Sequence, residues 1–158
     1  MNEYLINLIG KYKQKGILID TSILLLYIVG VYDINLVSRF KRTEMFSEDD
    51  FERVSKFVDY FDLKIATPHI LTEVSNFIDN RPDLQAVLKT YIDNSKEIFL
   101  ESSDLSKRQT FLKFGLADTS VTFTAENKYL ILTDDRPLYG FLMNSNIDAV
   151  NLDQIRGI

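Results

Sequence analysis

The chain has 158 residues, 46% hydrophobic and 26% charged, the balance of a folded domain that buries a core without cross-links. It has no cysteine and one histidine, which excludes a disulfide scaffold, thiolate zinc, iron–sulfur clusters, a cysteine nucleophile and a histidine-rich metal site. The net charge of −5 gives no overall field for loose binding to nucleic acid, and any metal site has to be built from oxygen.

Leu5, Leu8, Ile9 and Tyr12 recur at helical spacing, so an amphipathic helix is expected over 4–12, followed by a lysine-rich connector to Gly16. The first fifteen residues carry Glu3 and lack a signal-type apolar region. Ile17 to Asp20 reads as a short buried strand, Thr21 and Ser22 as helix-start residues, and Ile23 onward as a strongly apolar helix. The uncharged run Thr21 to Tyr32 is too short to cross a bilayer, which takes about 20 apolar residues. A cytoplasmic protein without membrane contact is therefore expected.

Residues 33–46 are polar and mixed, with a basic cluster at Arg39, Lys41 and Arg42. Ser47 with Asp50 resembles a capping box, and Phe51, Val54, Val58 and Phe61 repeat on one face, so a helix is expected over 47–61. Lys64 to Thr67 reads as a second strand. Thr67 and Pro68 suit the cap and first position of a helix whose buried stripe is Ile70, Leu71, Val74, Phe77 and Ile78. Pro82 opens another helix, and a strand is expected near 97–100. A polar stretch with Lys107 and Arg108 follows, and Gly115 punctuates before a helix to about Asn127. Tyr129 to Thr133 is the clearest strand; a short helix at 136–144 and a strand at 149–152 complete the reading. Short strands alternating with helices, without repeat or linker, predict a single three-layer α/β/α domain over 1–158 with a largely parallel sheet.

In such a sheet, ligands collect beyond the carboxyl ends of the strands, where the strand order reverses. Asp20 ends the first strand, Asp134 and Asp135 follow Thr133, Glu73 lies one turn into a helix that follows a strand, and Asp118 begins another helix. Each acid alone has a structural reading: a cap for Asp20, a solvated face for Glu73, a helix-dipole partner for Asp118, a turn for the pair. Acids from four separate stretches at one edge, in a chain without cysteine, favour a divalent-cation site. Clustered carboxylates repel one another unless a cation compensates them. Mg²⁺ and Mn²⁺ take hard oxygen ligands and activate water for attack on a phosphodiester.

The segments Ile17–Ser22 (ILIDTS), Leu71–Asn76 (LTEVSN), Gly115–Ser120 (GLADTS) and Ile131–Arg136 (ILTDDR) together resemble the PIN domain in content and order, from about Gly16 to Leu152. That resemblance implies a compact α/β/α fold and a metal-dependent endoribonuclease, commonly the toxin of a toxin–antitoxin pair. It implies that Asp20, Glu73 and Asp118 hold Mg²⁺ or Mn²⁺. The fourth acid maps onto Asp135, with Asp134 ranked second. Thr21, Ser22, Asn76 and Thr133 match positions where the family places hydrogen-bonding side chains. The implied partners are an RNA substrate, an antitoxin protein and a second copy of the chain. The stretch from Asp20 to Glu73 is longer than in the compact toxins, with extra residues in roughly 31–50.

Arg136, beside Asp135, is placed to form two parallel bonds to a phosphate. The clusters Arg39, Lys41, Arg42 and Lys107, Arg108, Lys113 are candidates for backbone contact, read by default as solvated surface. His69 is read as structural, and Tyr139 and Phe141 as near enough to the acidic edge to meet a base. The alternative function is a PIN-like module that binds RNA or protein without cutting. A haloacid-dehalogenase phosphotransfer site is disfavoured because Ser22 stands where its second aspartate belongs.

Overall fold

In the computed structural model, which describes residues 1–157, five strands form one sheet. They are Ile17–Ile19 (β1), Lys64–Ala66 (β2), Ser95–Glu97 (β3), Leu130–Thr133 (β4) and Ala149–Asn151 (β5). Every neighbouring pair is parallel and the order is β3-β2-β1-β4-β5. β1, β4 and β5 are buried along their whole length. Covered on both faces, they do not alternate: β1 is wholly apolar, and β4 and β5 are apolar up to their last residues, Thr133 and Asn151.

Nine helices surround the sheet among the described residues: Glu3–Tyr12 (α1), Thr21–Tyr32 (α2), Glu48–Val58 (α3), Pro68–Phe77 (α4), Pro82–Asp93 (α5), Ser102–Ser106 (α6), Gln109–Ala125 (α7), Arg136–Asn144 (α8) and Leu152–Arg156 (α9). The arrangement is the expected three-layer α/β/α fold. α2 is apolar around most of its circumference because α3, α4 and α5 all pack on it. Gly30 leaves room for α3: a Cβ there would collide with the Phe51 ring. α1 is tied to the start of β5, where the Tyr12 hydroxyl and the Lys11 ammonium donate to Asp148 at 2.7 and 2.6 Å. Among the described residues no helix is long and apolar enough to cross a membrane.

Several elements differ from the sequence expectation: α3 ends at Val58, short of 61, and the short helix α6 lies where a polar stretch is expected. The third strand is Ser95–Glu97 rather than 97–100; it lies at the sheet edge, where one neighbour suffices and no apolar run is needed. Ile98 still donates to the Ala66 carbonyl at 2.9 Å, while Phe99 is left 75% exposed. Gly115 is non-helical, with φ 84° and ψ −176°, and punctuates as expected before the helical stretch that carries Asp118; what the sequence reading lacks is the further helical stretch from Gln109 that precedes it within α7. The final strand stops at Asn151, whose side chain, with that of Gln154, forms a capping box that starts α9.

The connections from β1 through β2 to β3 run to one side of the sheet, and those from β4 to β5 run to the other. β1 and β4 are adjacent, in the register Ile17 to Leu130, Leu18 to Ile131 and Ile19 to Leu132. The crevice beyond their carboxyl ends is the switch point of the fold.

Candidate functional site

Asp20 leaves β1 directly into this crevice and is 4% exposed. It is the N-cap of α2: one carboxylate oxygen accepts from the Ile23 amide at 3.3 Å and lies 3.4 Å from the Ser22 oxygen. The other accepts from the Thr133 hydroxyl at the end of β4. Asp134 accepts from Ser22, and Asp135 caps α8 by accepting from the Leu138 amide at 2.8 Å. The Thr133 hydroxyl in turn accepts from the Asp135 amide at 3.0 Å, so one buried threonine fixes both strand-end acids.

Glu73 reaches the crevice from α4 and accepts from the Thr21 hydroxyl at 2.6 Å. Asp118 comes from α7, three residues past the bend at Gly115, and its carboxylate makes no hydrogen bond among the described residues. The helices carrying these two acids are joined beneath the site by a 2.9 Å hydrogen bond between the Thr67 and Ser120 hydroxyls, both buried. Sequence reading assigned Thr67 only a capping role; its neighbour across 53 positions is a matter of tertiary packing.

Asp20, Glu73, Asp118, Asp134 and Asp135, with Thr21 and Ser22, line a single cleft of about 680 Å³. Burial, followed by the negative charge of Asp134, pushes the Asp20 carboxyl up to about 8; the bonds from Thr133 and Ile23 only moderate this. Burial, followed by Asp135 and Glu73, raises Asp118 to about 6. The acids perturb one another because they face a common volume. Except for Asp118, each has an oxygen taken up by a hydroxyl or amide donor, and among the described residues no three His, Cys, Asp or Glu side chains form a preformed group that could hold a metal ion.

No family model, curated protein or solved structure matches the chain significantly. The geometry of the cleft is what bears on its chemistry.

Of the other residues singled out in the sequence, Thr133 lies beneath the cleft and Asn76 is exposed on α4, away from its lining. Arg136 does not line it either. Its guanidinium is turned to Asp153 of α9, with two nitrogens at 3.0 and 2.8 Å from one carboxylate oxygen. His69 is bonded through Nε2 to the Ser102 hydroxyl at 3.0 Å, which suits the structural role expected of it. Phe141 packs against Phe114, ring centroids 5.5 Å apart, and Phe114 rather than Phe141 faces the cleft. Tyr139, partly buried, stays outside the lining. Of the basic clusters, Lys41 and Arg42 reach the cleft wall. Arg108 lies over the Phe123 ring at 4.0 Å, in a separate surface cavity that Lys107 also lines.

Proposed function

We propose that this chain is a PIN-like endoribonuclease that hydrolyses RNA phosphodiester bonds with Mg²⁺ or Mn²⁺. The observation that carries the reading is the convergence of five carboxylates, from the ends of β1 and β4 and from α4 and α7, on one cleft at the switch point. The donor set suits a hard divalent ion: it is all oxygen, and it holds two carboxyls, Asp20 and Asp118, raised first by burial and then by the charge of neighbouring acids. Asp20, Glu73 and Asp118, with Asp135 or Asp134, are the residues to hold it. Such an ion supplies acidity to water and neutralises the charge that builds on the phosphate.

The chain's own residues do the positioning. Thr133 and the Ile23 amide hold Asp20, Thr21 holds Glu73, and Ser22 holds Asp134, so the acids are oriented by groups on the same rigid strand ends and helix starts. The family likeness adds an antitoxin protein and a second copy of the chain as the protein partners to look for.

Asp20→Asn and Asp118→Asn are each expected to abolish Mn²⁺-dependent cleavage of a fluorogenic RNA while leaving the circular dichroism spectrum intact. Cleavage that persists in both variants rejects the assignment. A second reading, a module that binds without cutting, is favoured by the capping bonds of Asp20 and Asp135, which give both acids a structural use. Calorimetric titration with Mn²⁺ separates the two, since a scaffold that only caps helices takes up no ion.

A further inference from the structure

A chain of net charge −5 whose cleft is lined by five carboxylates repels a polyanion, so a phosphate backbone is held there only by local positive charge. Two basic side chains, Lys41 and Arg42, line the cleft among the described residues. We propose that this pair, carried by the segment between α2 and α3, is the phosphate grip that positions the RNA strand over the acids. The inference rests on the nuclease reading and gives the long 31–50 segment its role.

The segment is built to present these two residues. Asp33 caps a 3₁₀ turn at Ile34–Leu36, accepting from the Asn35 amide at 2.9 Å. Val37, Thr43 and Phe46 are buried on either side of the pair, and the Thr43 hydroxyl donates to the Val37 carbonyl at 2.7 Å. The backbone is thus anchored before and after positions 41 and 42, whose side chains are exposed. The Arg42 guanidinium lies 4.5 Å from the centroid of the Phe77 ring, which also lines the cleft at the end of α4. This cation–π contact restrains the guanidinium beside the cleft, and with no ion pair or hydrogen bond of its own among the described residues its N–H groups are available to a phosphate.

Among the described residues, neither Lys41 nor Arg42 forms an ion pair or a side-chain hydrogen bond. Most of the other arginines are engaged elsewhere. Arg39 is bonded to the Asn35 carbonyl, Arg81 to Asp83, Arg136 to Asp153, and Arg156 to Asp50. Glu44 shares the rim and pairs with neither basic residue, so the grip is these two cations, not a uniformly positive face.

The test is steady-state cleavage of a fluorogenic single-stranded RNA with Mn²⁺, together with the salt dependence of binding of the same RNA, fluorescein-labelled, to Asp20→Asn protein without cleavage. In the Lys41→Ala/Arg42→Ala variant KM is expected to rise about tenfold or more, through loss of charge-assisted bonds, with kcat nearly unchanged. In the same double substitution on the Asp20→Asn background, the slope of log affinity against log salt is expected to flatten by about 1.4, at about 0.7 per phosphate contact. Lys41→Arg restores most of the affinity, whereas Arg42→Lys, which loses the guanidinium fork, restores less. Unchanged KM and salt slope in the double variant, with Asp20→Asn still abolishing cleavage, overturn the grip and leave the nuclease reading standing. Cleavage that survives both Asp20→Asn and Asp118→Asn overturns the assignment of the nuclease site to these acids instead, and the salt slope alone then decides the grip.

Discussion

Asp20 carries two demands that pull its carboxyl in opposite directions. As the cap of α2 it accepts from the Ile23 amide, which favours the charged form. Burial and the facing Asp134 favour the protonated form and prevail, raising it from 3.8 to about 8. The folded state therefore binds this proton more tightly than the unfolded chain. Its contribution to stability is fully present below the ordinary value of 3.8 and is lost as pH rises towards about 8. Asp20→Asn keeps a good cap and removes the charge. In EDTA its melting temperature is expected to equal or exceed that of the unmutated chain, by a margin that widens between pH 5 and pH 8. Thermal unfolding at the two pH values checks this, and a margin that is flat or narrows counts against a cluster of interacting acids. Asp20 was legible in the sequence as a strand-end acid; that Thr133, 113 positions away, holds its second oxygen was not.

At the scale of single elements, α7 shows how a glycine divides a helical segment. Gly115 reads as punctuation and is one, its φ of 84° and ψ of −176° separating two helical stretches between Gln109 and Ala125, of which only the second is legible in the sequence. A Cβ at this position meets nothing within 4 Å, so the glycine is required by the backbone conformation and not by crowding. Gly115→Ala is accordingly expected to cost about 1–3 kcal/mol in urea unfolding, the range for a side chain forced into such a region. Cleavage should fall further than stability, because Asp118 lies three residues beyond the bend. The edge strand β3 marks a related limit of legibility. Ser95–Glu97 has no apolar pattern, since a strand with a single neighbour and half-exposed side chains has little apolar surface to bury.

Across the whole molecule, distant segments are clamped by a few polar contacts over one continuous core. Asp50 completes the capping box of α3 and also receives Arg156 from α9, at 2.8 and 2.9 Å. The Arg156 hydrogen bond, ahead of the opposing effect of burial, holds the Asp50 carboxyl below its ordinary value. A lowered carboxyl stabilises the fold above pH 3.8, and that stabilisation fades as pH falls through its folded value. Asp50→Asn is expected to cost about 1.5–3 kcal/mol at neutral pH, typical of hydrogen bonds to a charged group, and less as the solution is acidified below pH 4. Chemical denaturation at pH 7 and pH 3 measures the difference. Ser47 with Asp50 was readable as a cap; the arginine was not, because nothing local marks a partner 106 positions away.

Local chemistry settled what could be read without neighbours: apolar runs for strands covered on both faces, Ser, Thr, Asp and Pro at helix starts, and acids placed where strands end. Those signals sufficed for the α/β/α class and for the acids that line the cleft. Side-chain direction was decided only by packing. The same strand-end turn that delivers Asp134 and Asp135 to the cleft turns Arg136 away to Asp153, and a loop with no secondary-structure signal carries Lys41 and Arg42 to the opposite wall. Direction depends on which partner stands within reach, and that is fixed by the sheet order rather than by spacing along the chain.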